Sequence, residues 1–386
     1  MPVSSRLSDR RFRRSRVFRV VPIGELTPDD LTRLGLIQPN DVAAVLLPTK
    51  EGFSAKAICA NTMRLLEALE VPATLSMVLS IQLRDAPNLL AQLVLDSALE
   101  VEHDGQFLSG AGVAEMLGVQ QLSLDQLSDA VDATGPSGIS AEALHYGEQL
   151  PIDDASELSA RMYYYNRIPA SAAWTSRLGS AARLEAWLGL AQGLPLRQAL
   201  GTSWIEVPPA LENPAWWHFR SRRHYTARSP FKLYVCPHTT LLPEVLAEVS
   251  AVFEECGLSA FKVGRDLLAV LRSDKLIAYS ETRARLDRAA AELQRRLRGV
   301  PVQVVPFTAP LDAAGLLSWG MDPPISEQLS TWQGTSWRRW VTDRLAVALI
   351  AARTAGVSST FGFALRRIAL EGVDVGSWTP AKVSWA

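Results

Sequence analysis

Three stretches decide the fold of the second half of the chain: Phe231-Lys232-Leu233-Tyr234-Val235, Ala260-Phe261-Lys262-Val263 and Lys275-Leu276-Ile277-Ala278-Tyr279. Each reads as a strand, rich in β-branched and aromatic residues. Side chains alternate across a strand, so Phe231, Leu233 and Val235 turn toward a core while Lys232 and Tyr234 share the other face. The same alternation buries Phe261 and Val263 and turns Lys262 out. Arg272, just before the third stretch, stands at that strand's entrance, so three cations are expected on one surface.

Outward from these strands the pattern continues. Val245, Val249, Val252, Phe253 and Cys256 recur at helical spacing after Pro243, with Gly257 as the C-terminal cap. An arginine-rich run from Thr282 predicts a helix stopped by Gly299 and Pro301, with a solvated face along Arg283 to Arg298. Val300–Phe307 reads as a further strand. The last clear helix carries Trp337, Val341, Leu345, Ala348, Leu349 and Ala352 on one face and ends at Gly356. The expected class is α+β, a mixed or antiparallel sheet with flanking helices.

The first third differs. Residues 1–41 read as a basic arm, with Arg10, Arg11, Arg13, Arg14, Arg16 and Arg19 available for an acidic partner. Residues 42–118 read as a separate small α/β module: an apolar run from Val42 to Leu47, a helix from Asn61 to Leu69, then a hairpin in which Leu99 and Val101 are buried and His103-Asp104-Gly105-Gln106 supplies the turn. This pattern is compatible with a winged-helix-like module that binds a leader peptide. Residues 119–160 read as a linker or helical connection, Asp132–Ser140 being the clearest breaker run, and 161–386 as the main domain.

Composition narrows the function classes. The 39 Lys and Arg nearly cancel the 40 Asp and Glu, so no global field draws in nucleic acid or an anionic membrane, and anion binding must be local. Three cysteines, Cys59, Cys236 and Cys256, are odd in number and lack metal-ligand spacing, which points away from disulfides and structural zinc. No stretch approaches the roughly 20 apolar residues of a membrane span and no signal peptide is evident, so a cytoplasmic location is expected. Tyr163, Tyr164, Tyr165, Trp216 and Trp217 read as core or interface aromatics, and His218 and His224 as structural hydrogen-bond partners.

A polar residue alternating with apolar ones is ordinarily the solvated face of a strand. Three cations on one surface also suit β-elimination of phosphate from phosphoserine or phosphothreonine. That reaction needs a base for the weakly acidic α-proton, cationic donors for the phosphate, and positive charge near the developing enolate. A lysine serves as base if its pKa falls from about 10.4 toward neutrality, which burial and adjacent cations promote.

The order of these motifs, with Arg272 inside Leu271-Arg272-Ser273-Asp274-Lys275, is similar to that of the phosphothreonine lyase effectors of pathogenic bacteria. It is also similar to the lyase segments of lanthionine synthetases, which carry K-x-H, then a K-V strand, then an arginine before a final strand. Residues 160–380, including Val304–Pro324 and Glu371–Pro380, resemble the Hop-A type effector family and its relatives in thioamitide and class V lanthipeptide clusters. The resemblance implies Lys262 as base, Lys232 and Arg272 as phosphate holders, and Tyr234 where the lyases keep a histidine acid. A tyrosine with a pKa near 10 is a poorer acid, although close cations lower it. His238 and His224 are alternative acids. No second phosphate-binding arginine is evident late in the domain, and Arg220, Arg222, Arg223 and Arg265 are candidates for that place.

So read, the chain is a lyase that forms dehydroalanine or dehydrobutyrine in a precursor peptide during ribosomal peptide maturation. It needs no metal or organic cofactor. A separate Ser/Thr kinase is implied, since neither a P-loop nor an HRD-like catalytic loop is present. The competing expectation is a non-catalytic phosphopeptide-binding or scaffold subunit of a peptide-modifying complex. A third is an effector with the same chemistry acting on host kinases.

Overall fold

The computed structural model describes residues 10–34, 42–51, 53, 55–74, 86–114, 116, 117, 136, 138–208, 214–323 and 336–380. Much of the expected linker, including Asp132–Gly135 and Ser137 of the breaker run, lies outside these residues. The architecture is α+β, and the strand pairs among the described residues are antiparallel.

Strands β1 (Arg11–Arg14), β2 (Phe18–Pro22), β3 (Ala44–Pro48), β4 (Lys56–Ile58), β5 (Ala73–Thr74), β6 (Leu99–His103) and β7 (Gln106–Leu108) form two small sheets, ordered β5-β1-β6-β7 and β2-β3-β4. The expected hairpin is present. Asp104 and Gly105 both adopt positive φ, 48° and 77°, the conformation of a two-residue turn matched to strand twist. Leu99 and Val101 are buried and His103 is exposed, as the alternation predicts.

The basic start is not an arm from Arg11 onward. Phe12 is fully buried, while Arg11 and Arg13 on either side meet Glu102 (3.1 Å) and Glu100 (2.5 Å) on β6, and Arg14 meets Glu70 (2.7 Å). An acidic neighbouring strand thus makes a basic strand tolerable inside a sheet. The described residues show no winged-helix arrangement.

Nor does the 42–118 region pack separately. Phe12, Leu46, Leu65, Val94, Leu99 and Val101 share one core with Leu144, Met162, Trp340, Leu345, Phe363 and Leu365. Polar contacts cross the same seam: Gln92 Nε2 donates to Leu370 O (2.5 Å), and Arg367 pairs with Asp96. The helices Trp337–Thr354 and Thr360–Leu370 supply the shared surface, burying Trp340, Leu345, Leu349, Phe363 and Leu365 in this core.

The main sheet has seven strands: β8 (Trp204–Val207), β9 (Trp216–Ser221), β10 (Phe231–Val235), β11 (Ala260–Gly264), β12 (Leu276–Ser280), β13 (Ala309–Pro310) and β14 (Leu317–Met321), in the order β13-β14-β10-β12-β11-β9-β8. Val300–Phe307 is not a strand. Pro301 and Pro306 cannot donate to a ladder, and a single bridge between Pro237 and Val302 is what remains of the expected pairing.

One face packs on the helices Leu242–Glu255 and Arg283–Arg296. Leu233, Val235, Phe261, Val263 and Ala278 meet Val245, Val249, Phe253, Leu286 and Leu293 there, each large side chain contributing about 1.5–3 kcal/mol by leaving water. The first helix ends at Gly257 (φ 70°), the second starts on the Thr282 cap and ends before Gly299 (φ 80°). On its outer side Arg283, Arg285 and Arg295 pair with Asp287, Glu281 and Glu292, a solvated face as expected.

The other face is covered over β10 and β14 by the helices Ala155–Tyr163 and Trp337–Thr354, and is open to solvent at β9, where His218 and Arg220 are exposed. Asp154 caps the first by accepting from Glu157 N (2.7 Å), and Ser336 caps the second. Ser159 Oγ donates to Thr342 Oγ1 (2.9 Å) between them. Gly320 on β14 permits the close approach, since a Cβ there would stand 3.2 Å from the Trp337 ring. Lys232 and Tyr234 therefore lie beneath helices rather than in water.

Candidate functional site

Strand register fixes which side chains share this covered face. Lys232 and Tyr234 on β10 lie opposite Tyr279 and Ile277 on β12, and Ile277 lies opposite Lys262 on β11. Lys262 in turn lies opposite His218 on β9. The strands bearing Lys232 and Lys262 are not neighbours, as β12 runs between them. The two lysines still meet around one ring, with Nζ atoms 5.9 Å (Lys232) and 5.8 Å (Lys262) from the Tyr279 centroid.

Arg272 is held at the edge of this nest by the turn before β12. Its Nε and Nη2 donate to the two carboxylate oxygens of Asp274, both at 2.7 Å, and Nη2 also donates to Tyr163 Oη at 2.8 Å. Tyr163 Oη donates on to Asp274 (3.2 Å), and Arg338 Nη1 pairs with the same carboxylate at 2.7 Å. Arg338 is fixed further by Pro306 O (2.8 Å) and Tyr163 O (2.7 Å). Burial raises the Asp274 pKa, but the two guanidiniums outweigh it and hold the carboxyl well below the usual range. Burial acts on Arg272 in the opposite sense to Asp274, and the carboxylate keeps it firmly charged.

Lys262 is different. Among the described residues its ammonium has no hydrogen bond or ion pair, and it stands over the faces of Trp216 (4.4 Å) and Tyr279. Burial lowers its pKa and Arg272 adds to this, against the opposing pull of Tyr163 and Asp274. Lys232, by contrast, is bound to Asp322. Four cations thus face two carboxylates, Asp274 and Asp322, leaving an excess of positive charge on a partly covered face that suits an anion. His218 and Tyr279 stand at its mouth, where the face opens to solvent: His218 is exposed and Tyr279 half-buried.

Tyr234 departs from expectation. Among the described residues its buried hydroxyl has no hydrogen-bond partner, and burial pushes its pKa well above 10 despite the nearby Arg338 cation. Close cations do not make it a better acid, because desolvation of the phenolate outweighs them.

The other candidates lie elsewhere. His238 caps a short turn, its Nδ1 within 2.9 Å of Thr240 Oγ1. The His224 ring packs over Gly257 at the end of the helix Leu242–Glu255. Arg222 donates to Gly201 O (3.2 Å), Arg223 is exposed in the turn after β9, and Arg265 lies over Trp217, a residue of the opposite face that packs on the helix Leu242–Glu255. Arg220 shares the face of His218 and Lys262, and lies over the Tyr225 ring at 4.7 Å.

Asp274, Asp322, Arg338, Tyr163 and Trp216 escaped the sequence reading as site residues. Arg338 left a trace: a cation in the first turn of a helix opposes the helix dipole, and so marks a residue with a partner elsewhere. Among the described residues no group of three or more His, Cys, Asp or Glu side chains is placed to hold a metal ion, and no helix is long and apolar enough to cross a membrane.

No protein-family model and no curated protein matches the chain. Among solved structures it is similar to an effector protein of Pseudomonas syringae pv. syringae strain 61, at 13% identity and a TM-score of 0.38, over 63% of this chain and 99% of that one. An effector protein of Pseudomonas syringae pv. tomato strain DC3000 matches at 11% identity and a TM-score of 0.37, over 68% and 99%. Likeness at this level bears on neither activity nor site.

Proposed function

We propose that the chain is a carbon–oxygen lyase that eliminates phosphate from phosphoserine or phosphothreonine in a precursor peptide, leaving dehydroalanine or dehydrobutyrine. The observation that carries this reading is Lys262: a desolvated amine without an ion-pair partner among the described residues, beside a rigidly held guanidinium and a second lysine. The amine takes the α-proton, and the C–H electron pair becomes the new C=C bond. The Cβ–O pair leaves with the phosphate, whose charge Lys232 and Arg272 neutralise. The order of the three strand motifs supports the same reading, and with it a separate kinase that supplies the phosphopeptide during ribosomal peptide maturation.

Incubating a phosphoserine peptide with the protein and weighing the product tests this. Elimination leaves the peptide one water lighter than its unphosphorylated form, and a peptide of unchanged mass rejects the lyase. Tyr234 favours a second reading, a phosphopeptide-binding subunit, because the residue at the acid position is too weak an acid for the task. Equilibrium binding of the same peptide without any mass change is the outcome that reading requires.

A further inference from the structure

We propose that His218 donates the proton to the departing phosphate, an assignment that rests on the elimination reading above. It sits on β9 directly opposite Lys262 on β11, and directly opposed residues of antiparallel strands hold their Cβ atoms about 4.5–5.5 Å apart. Its ring stands edge-on to Tyr279 with centroids 6.4 Å apart, so Lys232, Lys262 and His218 surround one aromatic ring from three strands. A phosphate seated against that ring lies within side-chain reach of all three. Unlike Tyr234, His218 is exposed at the mouth, and its ring nitrogens make no hydrogen bond among the described residues.

The charges around the imidazole set when it carries a proton. In the free protein partial desolvation of the inner part of the ring, then Lys262 and Arg220, push its pKa down to about 4, so the ring is neutral at pH 7. Tyr279 on β12 is the remaining group against the ring, with Lys232 on its far side, and among the described residues no carboxylate is hydrogen-bonded or ion-paired to the imidazole. A bound phosphate dianion brings the opposite charge and raises the pKa, so substrate binding itself loads the acid. The step then balances. Lys262 gains the α-proton, the C=C bond forms as Cβ–O breaks, and the leaving oxygen takes the His218 proton to give hydrogen phosphate. The two side chains exchange those protons with solvent before the next turnover.

Three measurements on the full chain test the assignment. In single-turnover elimination from a phosphoserine peptide, His218→Gln should fall by about 10²–10⁴-fold with its thermal midpoint unchanged. With a β-chloroalanine peptide, whose chloride needs no proton to leave, His218→Gln should match the wild type while Lys262→Met loses both reactions. The His218 ring titration, followed by NMR in the wild-type protein, should move upward when inorganic phosphate is added. Full-rate elimination by His218→Gln on phosphoserine, equal loss on both peptides, or a ring titration blind to phosphate each overturns the assignment and leaves the lyase standing. A wild type inert on phosphoserine overturns both.

Discussion

Arg272 and Asp274 are joined by two parallel hydrogen bonds, each 2.7 Å, in a turn where Ser273 alone separates the guanidinium from the carboxylate that orients it. Asp274 is 3% exposed at its side chain and is shared with Arg338, which is 1% exposed, so the pair is a buried triad. Such a carboxylate is not a surface ornament. Its removal leaves two buried cations short of a partner.

Asp274→Asn should therefore cost about 3–5 kcal/mol in urea unfolding at pH 7. The native carboxyl titrates below its unfolded value, so its contribution is complete above about pH 4 and fades as pH falls through and below that point. The variant should lose this acid sensitivity, and an unchanged acid profile contradicts the triad's role in stability.

Lys262→Met and Arg272→Ala should differ in kind. The first keeps the packing against Trp216 and should abolish elimination with phosphopeptide affinity nearly intact. The second should weaken affinity by roughly 1.5–3 kcal/mol, as for a lost charge-assisted hydrogen bond, and also lower stability, because Asp274 then keeps a single guanidinium. Equilibrium binding, single-turnover rates and melting curves separate the two, and retained turnover in Lys262→Met rejects the base.

Tyr234→Phe removes a buried hydroxyl that has no hydrogen-bond partner among the described residues. Stability should hold or rise by up to about 1 kcal/mol, and the elimination rate should stay within a few-fold of wild type. A large loss of rate with a normal melting curve restores the tyrosine to the chemistry.

Lys275 is fully buried, donating to Pro237 O (2.9 Å) and Gln303 Oε1 (2.6 Å), and burial pushes its pKa down to about 7. The unfolded lysine stays protonated to about pH 10.4, so the unfolded state holds the extra proton between these values. Stability should accordingly climb as pH rises from about 7 toward 10, by up to about 1.4 kcal/mol per pH unit. Lys275→Met should flatten that climb in denaturant titrations.

Strand alternation was the most legible part of this chain, because two-residue periodicity survives any tertiary context. It placed Lys232, Tyr234 and Lys262 on one face, and turn chemistry placed Gly105 and Gly257. It could not show that β12 would insert between β10 and β11, since sheet order depends on packing between distant segments. Nor could it show that helices would cover the face, which turned Tyr234 from an exposed phenol into a buried one. The basic start misled for a related reason: Arg11 and Arg13 find their neutralising glutamates on β6, 91 and 87 positions away. His218 was noticed but set aside, because its opposition to Lys262 exists only once β9 and β11 pair.

The core shared by Phe12, Leu99, Trp340 and Phe363 also governs when the chain can finish folding. Synthesis proceeds from the N-terminus, and the small sheets leave the ribosome long before the helices that seal their apolar side. Until Trp337–Leu370 arrive, that side lacks two of the helices it closes against, and short antiparallel strands alone are marginal in water. The seven-stranded sheet, whose strands all lie between residues 204 and 321, is complete sooner. The portion translated first is thus among the last to be secured, and until then it stands open to proteases and to chance association with other chains.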